Sequence, residues 1–215
     1  VTLSMTAADG SAVKVIGAKS QAEVANVQSA LERMREIGGD RAIPSEVHVR
    51  NEIGAITDAA GNQTDGIGGL AGDGRHVTLS RDALKDPKSA LHMLAHETGH
   101  NLDTLGGGLS DDVFGHGESV SAYGALNPAE DFAETHRVLI EKWDQITGAP
   151  ELYVDNGTDI GKKFRFILDN VYGDKAPKAP EALDYEILPK VRPGTETRPW
   201  QELGAIEADM AQTPA

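Results

Sequence analysis

The chain has 215 residues, a formal net charge of -14 and no cysteine. The absence of cysteine excludes disulfides, cysteine-ligated zinc and thiol catalysis. The acidic balance disfavours nucleic acid and acidic membranes as partners, although such a charge also simply keeps a protein soluble. No stretch is apolar for long enough to span a membrane, so we expect no membrane span. Because the chain begins at Val1, we expect a preceding segment to have been removed.

The first part of the sequence predicts three strands and one helix. Ser20 and Glu23 form a capping box that opens a helix over about 20–37. Alternating apolar residues predict strands at 12–17, 45–50 and 75–80. Residues 51–75 are rich in Gly, Asn and Asp, which predicts turns and an irregular hairpin.

An H-E-x-x-H motif occupies residues 96–100, in a stretch that reads as a helix and that Asp86 is suited to cap. Residues four apart lie on one face of a helix, so His96 and His100 can reach the same metal ion. Glu97 lies between them and can hold a water as a general base. The plainer alternative is a polar helix face with two solvated histidines.

A catalytic zinc site requires a third protein ligand. Gly106 stands where the longer H-E-x-x-H-x-x-G-x-x-H pattern has its third histidine, so that pattern fails. His116 lies in a Gly-rich loop, where we expect an exposed side chain, and we expect His92 to pack or to hydrogen-bond. The strongest candidate is Glu130, in the first turn of a helix that Asn127 caps. Taken alone, this spacing also fits a capping box formed by the same two residues.

The last part of the sequence predicts one more helix and an arm. A helix over about 158–172 would have one apolar face, formed by Phe164, Ile167, Leu168 and Val171. Residues 175–215 are rich in proline and charge, which predicts an extended or partly disordered arm. We therefore expect one domain at 1–174, followed by the arm.

The motif and the later helix together resemble a known family. The string S-A-Y-G-x-x-N-x-A-E-D-F-A-E-x-H-R, at 121–137, follows an H-E-x-x-H motif that continues to Asp103. This combination resembles the metallopeptidase domain of anthrax toxin lethal factor and of the bacterial Pro-Pro endopeptidases. The resemblance covers roughly residues 90–140. Asp131 departs from it, because the family usually has an aromatic residue at that position.

The resemblance implies a complete set of site residues. Tyr123 would face the active site. Glu134 and Asp103 would support the ligands, and Glu134 would accept a hydrogen bond from the outer nitrogen of a ligand histidine. The zinc ligands would be His96, His100 and Glu130.

These residues predict a zinc-dependent metalloendopeptidase that acts on a protein or peptide substrate. Zinc would activate a water, Glu97 would take its proton, and Tyr123 would stabilise the transition state. We expect an edge strand to hold the substrate main chain, with a plain core strand as the alternative. That strand comprises His76, Val77, Thr78, Leu79 and Ser80. By resemblance, a secreted toxin or a delivered effector would fit.

Two other functions stay open on the sequence. One is a non-catalytic zinc-binding interaction module, and the other is a zinc hydrolase acting on a non-peptide amide or ester. For the fold we expect an α+β, zincin-like domain with a small, mostly antiparallel sheet flanked by helices. The active site would lie between the H-E-x-x-H helix and the helix that carries Glu130.

Overall fold

The computed structural model describes residues 1–54, 56–57, 63–64, 68–71 and 75–173, with the backbone alone at 56–57 and 63–64. The arm predicted at 175–215 lies outside the described residues. Within the described ranges, no helix is both long enough and apolar enough to cross a membrane.

Helices make up most of the described chain after residue 80. The first long helix, α1, is Gln21–Gly38, and the H-E-x-x-H motif lies in α2, Pro87–Leu105. The later helices are α3 (Ser110–Val113), α4 (Pro128–Glu141), α5 (Trp143–Gly148), α6 (Pro150–Tyr153) and α7 (Asp159–Ile167), which continues as a π-helical turn over Leu168–Tyr172.

The long helices begin at the cap residues that the sequence indicates. Ser20, Asp86 and Asn127 each accept a hydrogen bond from the backbone N–H three residues further on. Such caps satisfy one of the N–H groups that the first turn of a helix leaves without a partner. The helices predicted from sequence are therefore confirmed at their starts.

The described strands form one five-stranded sheet and one two-stranded sheet. The large sheet has the order β1-β2-β3-β7-β6, and β4 pairs with β5 in the region predicted as an irregular hairpin. The strands are β1 (Thr2–Thr6), β2 (Ala12–Ile16), β3 (Glu46–Arg50), β4 (Ile56–Thr57), β5 (Gln63–Thr64), β6 (Gly69–Ala71) and β7 (His76–Ser80).

The five-stranded sheet is mixed, so the prediction of a mostly antiparallel sheet is wrong. β1 and β6 pair antiparallel with their neighbours, whereas β2, β3 and β7 are parallel to one another. The parallel pair β2–β3 has a physical cause, because α1 connects the two strands as a crossover. The α+β class itself is confirmed.

β7 lies inside the sheet, so the prediction that residues 76–80 form an edge strand is wrong. Its main chain pairs with β3 on one side and with β6 on the other. A peptide therefore has no open main-chain edge along β7. Among the described residues the outer strand on this side is β6, which the sequence reading missed.

α2 and α4 approach each other unusually closely, and this approach positions the site. A Cβ atom built on Gly99 would lie 2.7 Å from the Cα atom of Ala133, so the two backbones are nearly in contact. Gly99 is the fourth residue of the H-E-x-x-H motif. The glycine thus lets the motif lie directly against the helix that carries Glu130.

Candidate metal centre

Three side chains from α2 and α4 converge on one point. The Oε2 atom of Glu130 lies 3.2 Å from the Nε2 atom of His96 and 3.2 Å from that of His100. The two histidine Nε2 atoms are 3.2 Å apart. All three ligand atoms lie within 4.8 Å of one another, which is close enough to share a metal ion.

The Oε2 atom of Glu130 tests whether a cation fits this point. It is buried, yet it has no hydrogen-bond partner of acceptable geometry among the described residues, although both imidazole nitrogens lie 3.2 Å away. A buried polar atom without a partner is costly. A cation placed between the three side chains would accept electron pairs from all of them, so the residues fit a metal ion.

Glu130 serves as both a cap partner and a candidate ligand. Its backbone N–H donates to Oδ1 of Asn127 at 3.0 Å, while its carboxylate reaches the two histidines. The capping-box alternative is therefore half right, because the backbone half of the motif is formed. The side chain is directed across to α2.

The charges of the site strongly shift its ionisable groups. Burial alone would lower the pKa of His96, but the neighbouring carboxylates of Glu130 and Glu134 raise it to about 9. Burial would raise the pKa of Glu130, but His100 and His96 lower it to about 2. The carboxylate is therefore ionised at neutral pH, which is the form that binds a metal.

Glu134 supports His96 from behind. Its Oε1 atom lies 2.8 Å from Nδ1 of His96, so the Nδ1–H donates to the carboxylate and Nε2 is turned towards Glu130. Burial raises the pKa of Glu134, but the bond to His96 and the charge of Arg137 lower it to about 2. This contact is the one that the resemblance implied.

Glu97 is buried beside the metal ligands, under strand β6. Burial raises its pKa, an effect that the charges of His96 and His100 and the backbone of Ala71 only partly offset. A side chain at Gly69 would collide with that carboxylate, so only glycine allows β6 to pass so close. A buried carboxylate with a raised pKa is suited to accepting and returning a proton.

Tyr123 lies at the mouth of the site and is half exposed. Its ring centroid is 5.7 Å from that of His96. Burial and the charges of Glu130 and Glu97 raise the pKa of its hydroxyl to about 12. The tyrosine therefore keeps its proton and can act as a hydrogen-bond donor.

Asp103 does not support the metal ligands, so its predicted role is wrong. Its two oxygens accept hydrogen bonds from the backbone N–H and the hydroxyl of Ser110, both at 2.7 Å. It closes the glycine loop that follows α2. His116 is exposed and outside the group of converging ligands, and His92 bonds to Glu141 at 2.9 Å.

Two features of the site were missed in the sequence. One is β6, whose three residues give too short a pattern to read as a strand. The other is Arg137, which is 2 % exposed and bonds to both oxygens of Glu134. Its position three residues after Glu134 on one helix was the available signal.

Comparisons of the chain with models of protein families, with curated proteins and with solved structures found no match.

Proposed function

We propose that this protein is a zinc-dependent metalloendopeptidase. The observation that supports this proposal best is the convergence of His96 Nε2, His100 Nε2 and Glu130 Oε2 beside the buried Glu97. Two imidazoles and one carboxylate form a known catalytic zinc set, and a structural site has no use for a base next to its ligands. Zinc bound there would polarise the scissile carbonyl and make a water nucleophilic at neutral pH.

The protein side chains supply the proton transfers and the hydrogen bond. Glu97 takes the proton of the attacking water and delivers it to the leaving nitrogen, which its raised pKa favours. The Tyr123 hydroxyl donates a hydrogen bond to the oxygen that gains negative charge. Such a donor contributes on the order of 2–4 kcal/mol to the transition state.

The geometry of β6 favours a peptide as the substrate. The backbone N–H of Ser80 donates to the carbonyl of Gly68 at 2.8 Å, so the alternation of antiparallel pairing turns the N–H and C=O groups of Gly69 and Ala71 away from β7. Strand β6 borders Glu97 here, because a Cβ atom built on Gly69 would collide with its carboxylate. An extended peptide pairing with β6 would bring its main chain beside the base.

The substitution Glu97→Gln tests the proposal. It removes the base but none of the three ligands, so we expect zinc content to stay at the wild-type level. Peptide hydrolysis should fall by at least about 100-fold, the low end of what a general base contributes. Metal analysis and cleavage-site profiling of a peptide library measure the two quantities. A zinc-loaded wild-type protein that cleaves no peptide would instead support a binding module or a non-peptide hydrolase.

A further inference from the structure

A chain of hydrogen bonds extends behind His96 along the contact between α2 and α4. Nε of Arg137 donates to Oε1 of Glu134 at 2.9 Å, and its Nη2 donates to Oε2 at 2.9 Å. The hydroxyl of Ser121 donates to the same Oε2 at 2.6 Å. With the 2.8 Å bond from His96, both carboxylate oxygens are engaged. The plane of this carboxylate is therefore fixed from three directions.

Arg137 is itself held from the far side. Its Nη1 atom donates to Oε2 of Glu141 at 2.8 Å, and Oε1 of Glu141 lies 2.9 Å from Nδ1 of His92. The guanidinium thus bridges two carboxylates that lie two turns apart on α4, and its side chain is 2 % exposed. A planar guanidinium holds a carboxylate in one plane through two parallel bonds, whereas an ammonium group does not.

The orientation of His96 depends on this arrangement. Nδ1 of His96 donates to Glu134, and that bond sets the rotation of the ring and leaves Nε2 directed at Glu130. If the carboxylate of Glu134 rotated out of its present plane, the ring of His96 would lose the hydrogen-bond acceptor that holds it. Of the groups that hold Glu134, Arg137 is the one that contacts both of its oxygens.

We infer that Arg137 is a positioning residue for the metal centre, acting on the ligand His96 through Glu134. This inference rests on the proposed metal site but not on the proposed peptidase activity. It assigns a role to a residue that is buried beyond the reach of metal or substrate. Loss of such an outer contact typically weakens metal binding by about 10–100-fold.

Arg137→Lys is the main test, because lysine keeps the charge and loses the two-pronged contact. Arg165→Lys is the matched control: Arg165 binds Asp155 in the same two-pronged way, through Nε and Nη2, on α7. Zinc affinity is measured by competition with a chromophoric chelator, and the coordination geometry by the visible spectrum of the cobalt(II)-loaded protein. We expect Arg137→Lys to bind zinc about 10–100-fold more weakly with an altered cobalt spectrum. Arg165→Lys should match the wild type in both measurements.

A double-mutant cycle tests whether Arg137 acts through Glu134. In a Glu134→Gln background, Arg137→Lys should add less than about a twofold loss of zinc affinity, since the contact is already disrupted. Additive losses would overturn the inference, as would wild-type affinity and spectrum in Arg137→Lys. A wild-type protein that binds no zinc would instead reject the metal centre itself.

If the variants do not fold, a measurement on the wild-type protein still tests whether Arg137 is coupled to the metal centre. Coupling between two sites is reciprocal, so a residue that favours zinc binding is itself ordered by zinc. The Nε–H proton of Arg137 should exchange with solvent at least about tenfold more slowly in the zinc-loaded protein than in the metal-free protein. Equal exchange rates in the two states would overturn the inference.

Discussion

Glu130 illustrates how one residue can satisfy two patterns at once. Its backbone N–H completes the cap at Asn127, which the sequence predicts from local spacing. Its side chain could either bond to the backbone of Asn127, as in a full capping box, or extend to another helix. The local spacing of residues does not distinguish these two arrangements. The choice depends on α2 lying opposite, where His96 and His100 each approach the carboxylate to 3.2 Å.

Replacing Glu130 by alanine should weaken metal retention. The substitution removes one of three ligands and leaves the two histidines, so we expect the zinc affinity to fall more than about tenfold. Zinc content after dialysis against a mild chelator measures the effect. His116→Ala is the matched control, because His116 is exposed in a loop. Unchanged zinc in Glu130→Ala together with loss in His116→Ala would mean that the third ligand is wrongly assigned.

At the scale of the helices, the residues at which the helices begin can be predicted from the sequence, whereas the contacts between the helices cannot. Asp86 and Asn127 cap α2 and α4 through bonds within four residues, so the sequence contains the whole signal. The closeness of α2 to α4 depends on Gly99 facing Ala133, a pair separated by more than thirty residues in the chain. A glycine within a helix otherwise reads only as a weak helix former.

Gly99→Ala should destabilise the protein even though alanine is the better helix former. The new Cβ would lie 2.7 Å from the Cα atom of Ala133, and a backbone atom does not move aside as a flexible side chain does. We expect a loss of about 1–3 kcal/mol in the free energy of unfolding, measured in urea, together with weaker zinc binding. Gly148→Ala is the control, since a Cβ there meets nothing within 4 Å. A Gly99→Ala protein as stable as this control would contradict the close approach.

A buried ion pair between Lys163 and Asp131 joins α7 to α4. Nζ of Lys163 donates to Oδ2 of Asp131 at 2.7 Å and to the carbonyl of Glu118 at 2.7 Å. Both side chains are essentially unexposed, at 1 % and 0 %. The backbone N–H of Gly115 also donates to Asp131, so the pair anchors the loop that leads towards Tyr123.

Lys163→Met should therefore be strongly destabilising. It leaves the Asp131 carboxylate buried without its cation, which costs about 3–5 kcal/mol. The double variant Lys163→Met, Asp131→Asn removes the uncompensated charge and keeps an acceptor for Gly115, so it should be more stable than the single variant. Urea unfolding measures both. A double variant no more stable than Lys163→Met would show that the charge is not the cause.

At the scale of the whole molecule, the sheet was predictable in part. β2, β3 and β7 alternate over five residues each, with apolar side chains inward, and their predicted existence is confirmed. Their order and direction follow from pairing across the chain, which alternation does not encode. Strand β6, the outer strand on this side among the described residues, has three residues, and two glycines lie in the stretch 68–71, so its sequence does not predict a strand. Because β6 is not predicted, β7 is wrongly expected to be the edge strand that holds the substrate main chain.

His136 connects parts of the fold that are far apart in the chain. Because the carbonyl of Ala95 on α2 can only accept, Nδ1 of His136 donates to it, at 2.8 Å. The hydroxyl of Tyr172, near the end of the described chain, then donates to Nε2 at 2.6 Å. The ring is completely buried, and it uses both nitrogens in its neutral form. Protonation would destroy the acceptor that Tyr172 requires.

The stability of the protein should consequently fall in mild acid, with His136 as one cause. Burial lowers the pKa of His136 to about 4, from an unfolded value of 6.5. Between these values the unfolded chain binds a proton that the folded chain does not, so this contribution is complete above pH about 6.5 and is lost as the pH falls through about 4. The shift corresponds to about 3 kcal/mol.

His136→Gln isolates that contribution, because glutamine does not titrate while the carboxylates titrate in both proteins and largely cancel in the difference. The free energies of unfolding of the metal-free wild type and variant, measured in urea from pH 7 to pH 4, should differ most at pH 7. The difference should then shrink by about 3 kcal/mol towards pH 4, since only the wild type has a histidine at this position that takes up a proton on unfolding. A difference that stays constant across this range would mean that His136 is not the neutral, buried connection between α2, α4 and Tyr172 described above.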